Sequence, residues 1–201
     1  MFDNNIAPLV KNILNPVALY LVRFGVSSNT ISIFGFSVGL LTLPSLYFGF
    51  YYISFFIIII NRVCDGLDGI VARLTKPTDR GAFIDISFDF IFYSLVPIGF
   101  ALNNFENNGL AALILIFSFV CSGSTFLTYS LIAERLQMKS KNSITKGIFY
   151  DNGLMEGSET ILFFLLFCMF PSYFALLAYL FSILCLITAI IRIIQGWRHF
   201  T

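Results

Sequence analysis

Six stretches of this chain, about 30–48, 51–73, 82–102, 109–133, 157–170 and 173–195, run almost without interruption through apolar side chains. In hydrocarbon a backbone has no water to bond, so it must satisfy its own N–H and C=O groups, and an α-helix does this within one segment. About 20 apolar residues at a 1.5 Å rise cross the bilayer core. The expected fold is therefore all-α and integral to the membrane, with six transmembrane helices in a single domain over 1–201. The fifth stretch is short and is expected to begin within Glu156–Glu159. Composition agrees: 58% of residues are hydrophobic and 11% charged, against about 25% charged in soluble domains. A net charge of +1 argues against a nucleic-acid partner. Cys64, Cys121, Cys168 and Cys185 lie in apolar segments without metal-ligand spacing and read as small packing residues, without disulfides.

Ahead of the first span, Ile6–Phe24 mixes apolar positions with Lys11, Asn12, Asn15 and Arg23. This pattern predicts an amphipathic helix lying in the membrane interface, with residues 1–28 as helix and linker and 29–196 as the six-helix bundle. Pro16 is expected to kink that helix. The segment is too polar for the core of a cleavable signal peptide. Basic residues fall on alternate connections: Lys11 and Arg23 before the first span, Arg73, Lys76 and Arg80 between the second and third, Arg135, Lys139, Lys141 and Lys146 after the fourth, and Arg192 and Arg198 at the end of the sixth. The connections near 49–50, 103–108 and 171–172 have none. This bias predicts both termini in the cytoplasm.

Against this background four aspartates stand out: Asp65 and Asp68 in the second span, Asp85 and Asp89 in the third. A carboxylate inside a membrane is costly and is a functional hypothesis by default. Pro77 in the short Leu74–Arg80 connection suits a turn, so the two spans should form an antiparallel hairpin. By helical rise, Asp68 lies about 9 Å and Asp85 about 8 Å below the turn, and Asp65 and Asp89 each about 13 Å below it. Spacings of i,i+3 and i,i+4 put each pair on one helix face. All four can converge on one point, where unneutralised carboxylates would repel strongly. Arg62 and Arg73 supply part of the missing charge. Oxygen donors without a His or Cys cluster favour Mg²⁺ or Mn²⁺, and four carboxylates can bridge two ions about 3.5–4 Å apart. The plainer alternative is a structural ion-pair network with Arg62, Arg73 and Arg80. Gly69, Ala72 and Gly81 leave room for a ligand, or for a neighbouring helix, to approach the backbone.

The pattern Asp65-x₂-Asp68-Gly69-x₂-Ala72-Arg73-x₇-Gly81-x₃-Asp85-x₃-Asp89 resembles the signature of the CDP-alcohol phosphatidyltransferase family, with every fixed position present. The six-span layout behind an amphipathic N-terminal helix is similar too. The resemblance implies metal-dependent transfer of a phosphatidyl group from CDP-diacylglycerol to a polar alcohol, releasing CMP, in phospholipid biosynthesis. By motif position it implies Asp65, Asp68, Asp85 and Asp89 as ligands of Mg²⁺ or Mn²⁺, two ions in all, with Asp89 also the general base. It further implies that Gly69, Ala72 and Gly81 admit the nucleotide, that Arg73 contacts its phosphates, and that Thr78 stands where the family carries a hydroxyl. Asn29 and Thr30 occupy the place of a family Pro-Asn-x-x-Thr entry that here lacks the proline; a nucleotide contact and a simple helix cap are both open there. The resemblance also suggests a homodimer; the compact chain is expected in a bacterial cytoplasmic membrane, with an organelle the alternative, and the hairpin is expected to place the active site near the cytoplasmic face.

The motif does not identify the acceptor: glycerol 3-phosphate, serine, inositol phosphate, phosphatidylglycerol and choline all remain, as does a soluble CDP-alcohol as donor. Lys139–Thr160 is the longest polar connection. It reads as a positive-inside loop whose Glu156 and Glu159 suit a helix N-terminus, or as a source of acceptor contacts through those acids or through Arg135, Lys139 and Lys141. Ser118–Ser130 reads as close helix packing, and the many Phe and Tyr as lipid contact and interfacial anchors. His199, at the tail, is not expected to be a ligand. Two rival readings are a UbiA-type prenyltransferase and a membrane cation transporter. Asn61-x₃-Asp65 resembles the prenyltransferase motif, but a second aspartate-rich motif is missing. A transporter would usually show an inverted repeat or broken helices in both halves.

Overall fold

The computed structural model describes residues 3–137, 155 and 157–200, the side chains of 3–11 excepted. Among these residues the chain is helical without strands: α1 (Asp3–Arg23), α2 (Ser28–Leu40), α3 (Thr42–Tyr47), α4 (Tyr51–Leu74), α5 (Asp79–Asn103), α6 (Phe105–Arg135), α7 (Gly157–Met169) and α8 (Phe174–His199), with a 3₁₀ turn over Pro171–Tyr173. Four helical segments are long and apolar enough to cross a membrane: Ser28–Tyr47, which is α2 with α3, then Asp79–Asn103, Phe105–Arg135 and Pro171–His199. The other two expected spans are also helices, but differ for physical reasons. α4 has the length, 24 residues, yet its middle carries Arg62, Asp65 and Asp68. α7 is apolar but only 13 residues long.

α1 runs as one helix through Pro8 and Pro16. A proline inside a helix costs about 3 kcal/mol, and packing opposes that cost. Ala18 is fully buried, and Leu14, Leu21 and Val22 pack on Ile31, Cys64, Leu67, Ile70 and Val71 of α2 and α4. The other side of α1 leaves Ile13, Val17, Tyr20 and Phe24 exposed.

α4 and α5 are joined by the expected short turn, but they do not pack closely along their length. Instead α2 packs against both. Two glycines allow this. A Cβ at Gly35 would lie 2.5 Å from Cβ of Cys64, and one at Gly39 would lie 2.8 Å from Nδ2 of Asn61. On the α5 side the rings of Phe36 and Phe88 stack at 4.0 Å. α2 thus acts as a wedge between the two aspartate-bearing helices.

The main core is aromatic. Phe92, Phe100, Phe164, Phe167, Phe174 and Phe181 are fully buried, with stacked pairs at Phe100–Phe174 (4.3 Å) and Phe163–Phe181 (4.4 Å). Phe is thus divided between two roles: these six build the core, while others, such as Phe34, Phe56 and Phe117, stay exposed, as the lipid-contact reading expects. Between helices in a bilayer dispersion takes the place of the hydrophobic effect, and flat rings supply it over a large area. α6 and α8 form the most extensive helix pair. Ser118 and Ser182 are buried there and return their hydroxyl protons to Leu115 and Ala178 of their own helices, each at 2.7 Å. Of the four free thiols, those of Cys64, Cys168 and Cys185 are buried.

Candidate active site

The turn at the mouth of the site is fixed locally. Thr78 caps α5 by accepting a hydrogen bond from N–H of Gly81 at 3.1 Å. Asp85 then lies four residues after Gly81, and Asp89 one helical turn further on. From α4, Asp65 and Asp68 face the same space, and all four carboxylates line one small cavity together with Ser32, Asn61 and Arg62.

The partners within this cavity come from three helices. Ser32 of α2 donates its hydroxyl proton to Oδ2 of Asp68 at 2.5 Å. Arg62 places Nη1 2.8 Å from Oδ1 of Asp89 and 3.5 Å from Oδ2 of Asp65. Its Nε donates to Oδ1 of Asn61 at 2.8 Å, and Asn61 in turn donates to the carbonyl of Gly35 at 2.9 Å. The guanidinium also lies over two rings, 5.0 Å from the centroid of Phe92 and 5.6 Å from that of Tyr93. The Tyr93 hydroxyl donates to Oδ2 of Asp89 at 3.4 Å.

Among the described residues no three acid, His or Cys side chains are arranged to hold an ion between them; the cation among these carboxylates is Arg62. The donor set nevertheless fits a hard divalent cation. It is all oxygen, it is far more acidic than one guanidinium can balance, and it lies where uncompensated charge is costly.

Two larger cavities share residues with this cluster and meet α5 at Asp85 and Ile86. One, about 160 Å³, lies between α2, α4 and the start of α5, and is lined by Asn29, Ser32, Asp68, Gly69, Ala72, Arg73, Thr78, Gly81 and Asp85. It gathers six of the seven expected substrate contacts. The seventh, Thr30, lies off it. Ser27 caps α2, its Oγ accepting from N–H of Thr30 at 3.2 Å and lying 2.9 Å from the Thr30 hydroxyl. Oδ1 of Asn29 is buried without a hydrogen-bond partner. A Cβ at Gly81 would come within 3.2 Å of it and of the Thr78 hydroxyl. The glycine keeps this corner open, and a buried carbonyl without a donor is a ready acceptor for a ligand N–H.

The other chamber, about 540 Å³, lies between α5, α6 and α8. It is lined by Asp85, Asp89 and Tyr93 of α5, by Phe119, Ser122 and Phe126 of α6, and by Arg192 of α8. Arg192 is a buried cation. Its Nη1 donates to the carbonyl of Ser122 at 3.1 Å and to that residue's hydroxyl at 3.2 Å, and its guanidinium lies 5.3 Å from the Phe126 centroid.

The four aspartates are thereby sorted. Asp68 borders the cluster and the smaller cavity, Asp89 the cluster and the larger chamber, Asp85 all three, and Asp65 the cluster alone. Glu159 is buried at the start of α7 but does not line the chamber, where Gly157 and Thr160 stand instead. Lys139, Lys141, Lys146 and Glu156 lie outside the described residues. His199 pairs through Nδ1 with the Tyr129 hydroxyl at 3.0 Å, away from the aspartates. Ser32, Asn61, Tyr93 and Arg192 are site residues that the motif does not contain.

The chain is similar to known proteins in sequence and in fold. The chain is 41% identical over 197 residues to inner membrane protein YnjF of Escherichia coli, covering 98% of this chain and 96% of that one. It is 28% identical to the archaetidylinositol phosphate synthase of Pyrococcus horikoshii, over 98% and 97% of the two chains. In fold it is similar to phosphatidylinositol phosphate synthase of Mycobacterium tuberculosis. With CDP-DAG bound, that structure gives a TM-score of 0.74 at 21% identity, covering 92% of this chain and 94% of that one. The same enzyme in complex with manganese and citrate gives 0.71 at 21% identity, over 90% and 88%. A model of the CDP-alcohol phosphatidyltransferase family matches residues 26–195, which takes in the aspartate helices, both cavities and all but the last turns of α8. With that match the chain belongs to the CDP-alcohol phosphatidyltransferase family.

Proposed function

We propose that this enzyme transfers the phosphatidyl group of CDP-diacylglycerol to the hydroxyl of a phosphorylated polyol, at the cytoplasmic side of a bacterial inner membrane. The observation that carries the proposal is the sorting of the aspartates: Asp68 belongs to one cavity, Asp89 to the other, and Asp85 to both. A group-transfer enzyme with two substrates needs such a division. The donor cavity brings Asn29, Gly69, Arg73 and Gly81 to the nucleotide and its phosphates. The chamber receives the acceptor, and Arg192 suits an acceptor that carries a phosphate. The names of the archaeal and mycobacterial relatives, both synthases of inositol phosphate lipids, favour the same class.

In this reading the acceptor oxygen attacks the phosphorus next to the diacylglycerol moiety. A new P–O bond forms, the bond to the CMP oxygen breaks, and CMP departs with that electron pair. Asp89, on the acceptor side, takes the hydroxyl proton. Arg73 neutralises the donor phosphates. Asp65, Asp68, Asp85 and Asp89 are the residues that would hold Mg²⁺ or Mn²⁺, two ions in our proposal. When bound, the ions supply charge neutralisation for the diphosphate and for the departing CMP. Arg73, Lys76 and Arg80 at the α4–α5 turn support a cytoplasmic location for the mouth of the site, where a nucleotide can leave to water while acyl chains stay in lipid. α4 and α7 complete six spans in this arrangement, with the exposed apolar side of α1 lying in the interface.

The test is CMP release by purified protein given CDP-diacylglycerol, Mn²⁺ and a panel of alcohols. Inositol phosphate or glycerol 3-phosphate should support release, and serine or choline should not. No CMP with any acceptor would sink the proposal, and release with only the neutral or cationic alcohols would remove the role given to Arg192.

A further inference from the structure

We infer that Arg62 is a resident counter-cation of the aspartate cluster, which an incoming divalent ion must displace from Asp89. Three observations support this. The guanidinium holds Oδ1 of Asp89 at 2.8 Å and stands 3.5 Å from Oδ2 of Asp65, so it covers oxygen lone pairs on two of the four carboxylates. It is held from behind, because its Nε donates to Asn61 and Asn61 is fastened to the Gly35 carbonyl of α2. It also has somewhere to rest when Asp89 is taken away, since Phe92 and Tyr93 present ring faces at 5.0 and 5.6 Å. A cation over such faces in a desolvated site keeps part of its stabilisation without a carboxylate. Its side chain is 15% exposed, so water gives it little relief.

The consequence is competition. Carboxylates gathered this closely repel one another, and Arg62 keeps them assembled before an ion arrives. An ion that ligates Asp89 and Asp65 then takes oxygens that Arg62 already holds, and its affinity is lowered by the cost of that exchange. Arg62 is thus a positioning residue: it sets how tightly the site binds its ions, and it returns Asp89 to one place when they leave.

This inference rests on the carboxylates being the ion site, and the experiment separates the two. Mn²⁺ binding is measured by electron paramagnetic resonance on protein in lipid nanodiscs, for wild type, Arg62→Met and Arg62→Lys, with thermal unfolding followed with and without Mn²⁺. Arg62→Met should bind Mn²⁺ at least about tenfold more tightly, corresponding to about 1.4 kcal/mol. It should be less stable than wild type in chelator and regain that loss when Mn²⁺ is added. Arg62→Lys keeps the charge and should restore wild-type affinity in large part. An Arg62→Met protein that survives only with Mn²⁺ present also supports the inference. Unchanged or weaker Mn²⁺ binding by Arg62→Met overturns it, as does an equal loss of stability with and without Mn²⁺. Absence of Mn²⁺ binding by the wild type refutes the ion site itself.

Discussion

Ser32→Ala removes a single oxygen, and its effect can be worked out from the geometry. Oγ of Ser32 is 2.5 Å from Oδ2 of Asp68 and 3.1 Å from the Ser28 carbonyl. A hydroxyl has one proton, and the shorter contact to the acid takes it. Asp68 is 6% exposed, so water does not replace the lost donor. A hydrogen bond to a charged group is worth about 1.5–3 kcal/mol, or roughly a 10- to 100-fold change, the range seen when partners that orient metal ligands are removed. Asp68 borders the smaller cavity, the donor site in our proposal, so the loss should appear in ion and donor binding. CMP release is followed at varied Mn²⁺ and varied CDP-diacylglycerol. The Mn²⁺ concentration for half activation should rise about 10- to 100-fold, with little change in the acceptor KM. Ser32→Thr retains the hydroxyl and should recover most of the activity. If Ser32→Ala shows wild-type Mn²⁺ dependence and turnover, the link from α2 through Asp68 to the ion site is wrong.

Further outcomes can be checked alongside. Asp89→Asn keeps size and position but cannot take a proton, so turnover should fall by at least about 100-fold while CMP affinity stays within a few-fold; normal turnover would remove Asp89 as the base. Chelation should stop CMP release, and Ca²⁺ should restore it poorly because its larger radius and looser geometry suit the site less well; full activity in chelator would exclude the ions. Gly81→Leu fills the corner between Asn29 and Thr78, where even a Cβ would sit 3.2 Å from each side-chain oxygen, and should abolish CMP binding measured by calorimetry. Unchanged CMP affinity in that variant would move the nucleotide elsewhere.

Four of the six expected spans are legible as helices long and apolar enough to cross a membrane, because hydropathy reports a solvent. The helices occupy the expected stretches, from α2 with α3 (Ser28–Tyr47) to α8 (Phe174–His199). What hydropathy cannot report is which helix lies beside which. The expected hairpin of α4 and α5 exists as a turn, but α2 packs between the pair, and that depends on Gly35 and Gly39 meeting Cys64 and Asn61 across some 20–30 residues. Likewise nothing in the periodicity of a uniformly apolar helix separates a Phe facing lipid, such as Phe117, from one facing the core, such as Phe164. Pro16 shows the converse: a residue that disfavours helix is carried inside α1, where Ala18 and its neighbours pack on α2 and α4.

The site was legible to the extent that its chemistry is local. Four aspartates at helical spacing on two linked segments declare themselves, because a membrane tolerates such charges only for a reason. Their partners are not local. Ser32 is one of many serines until α2 is placed against Asp68, and Arg192 reads as an ordinary cytoplasmic anchor until α8 is placed against Ser122. The role of Asp89 shows the same limit. Spacing makes the four acids equivalent in kind, and the family resemblance alone nominated one of them as base. The fold distinguishes their surroundings, with Asp85 and Ile86 the residues that border both the smaller cavity and the chamber. In the proposed reaction, an acid that lines the chamber and not the smaller cavity reaches the acceptor hydroxyl without crossing the donor's phosphates. Of the four, Asp89 alone lines the chamber without also lining the smaller cavity, whereas Asp68 borders the smaller cavity and Asp65 borders neither.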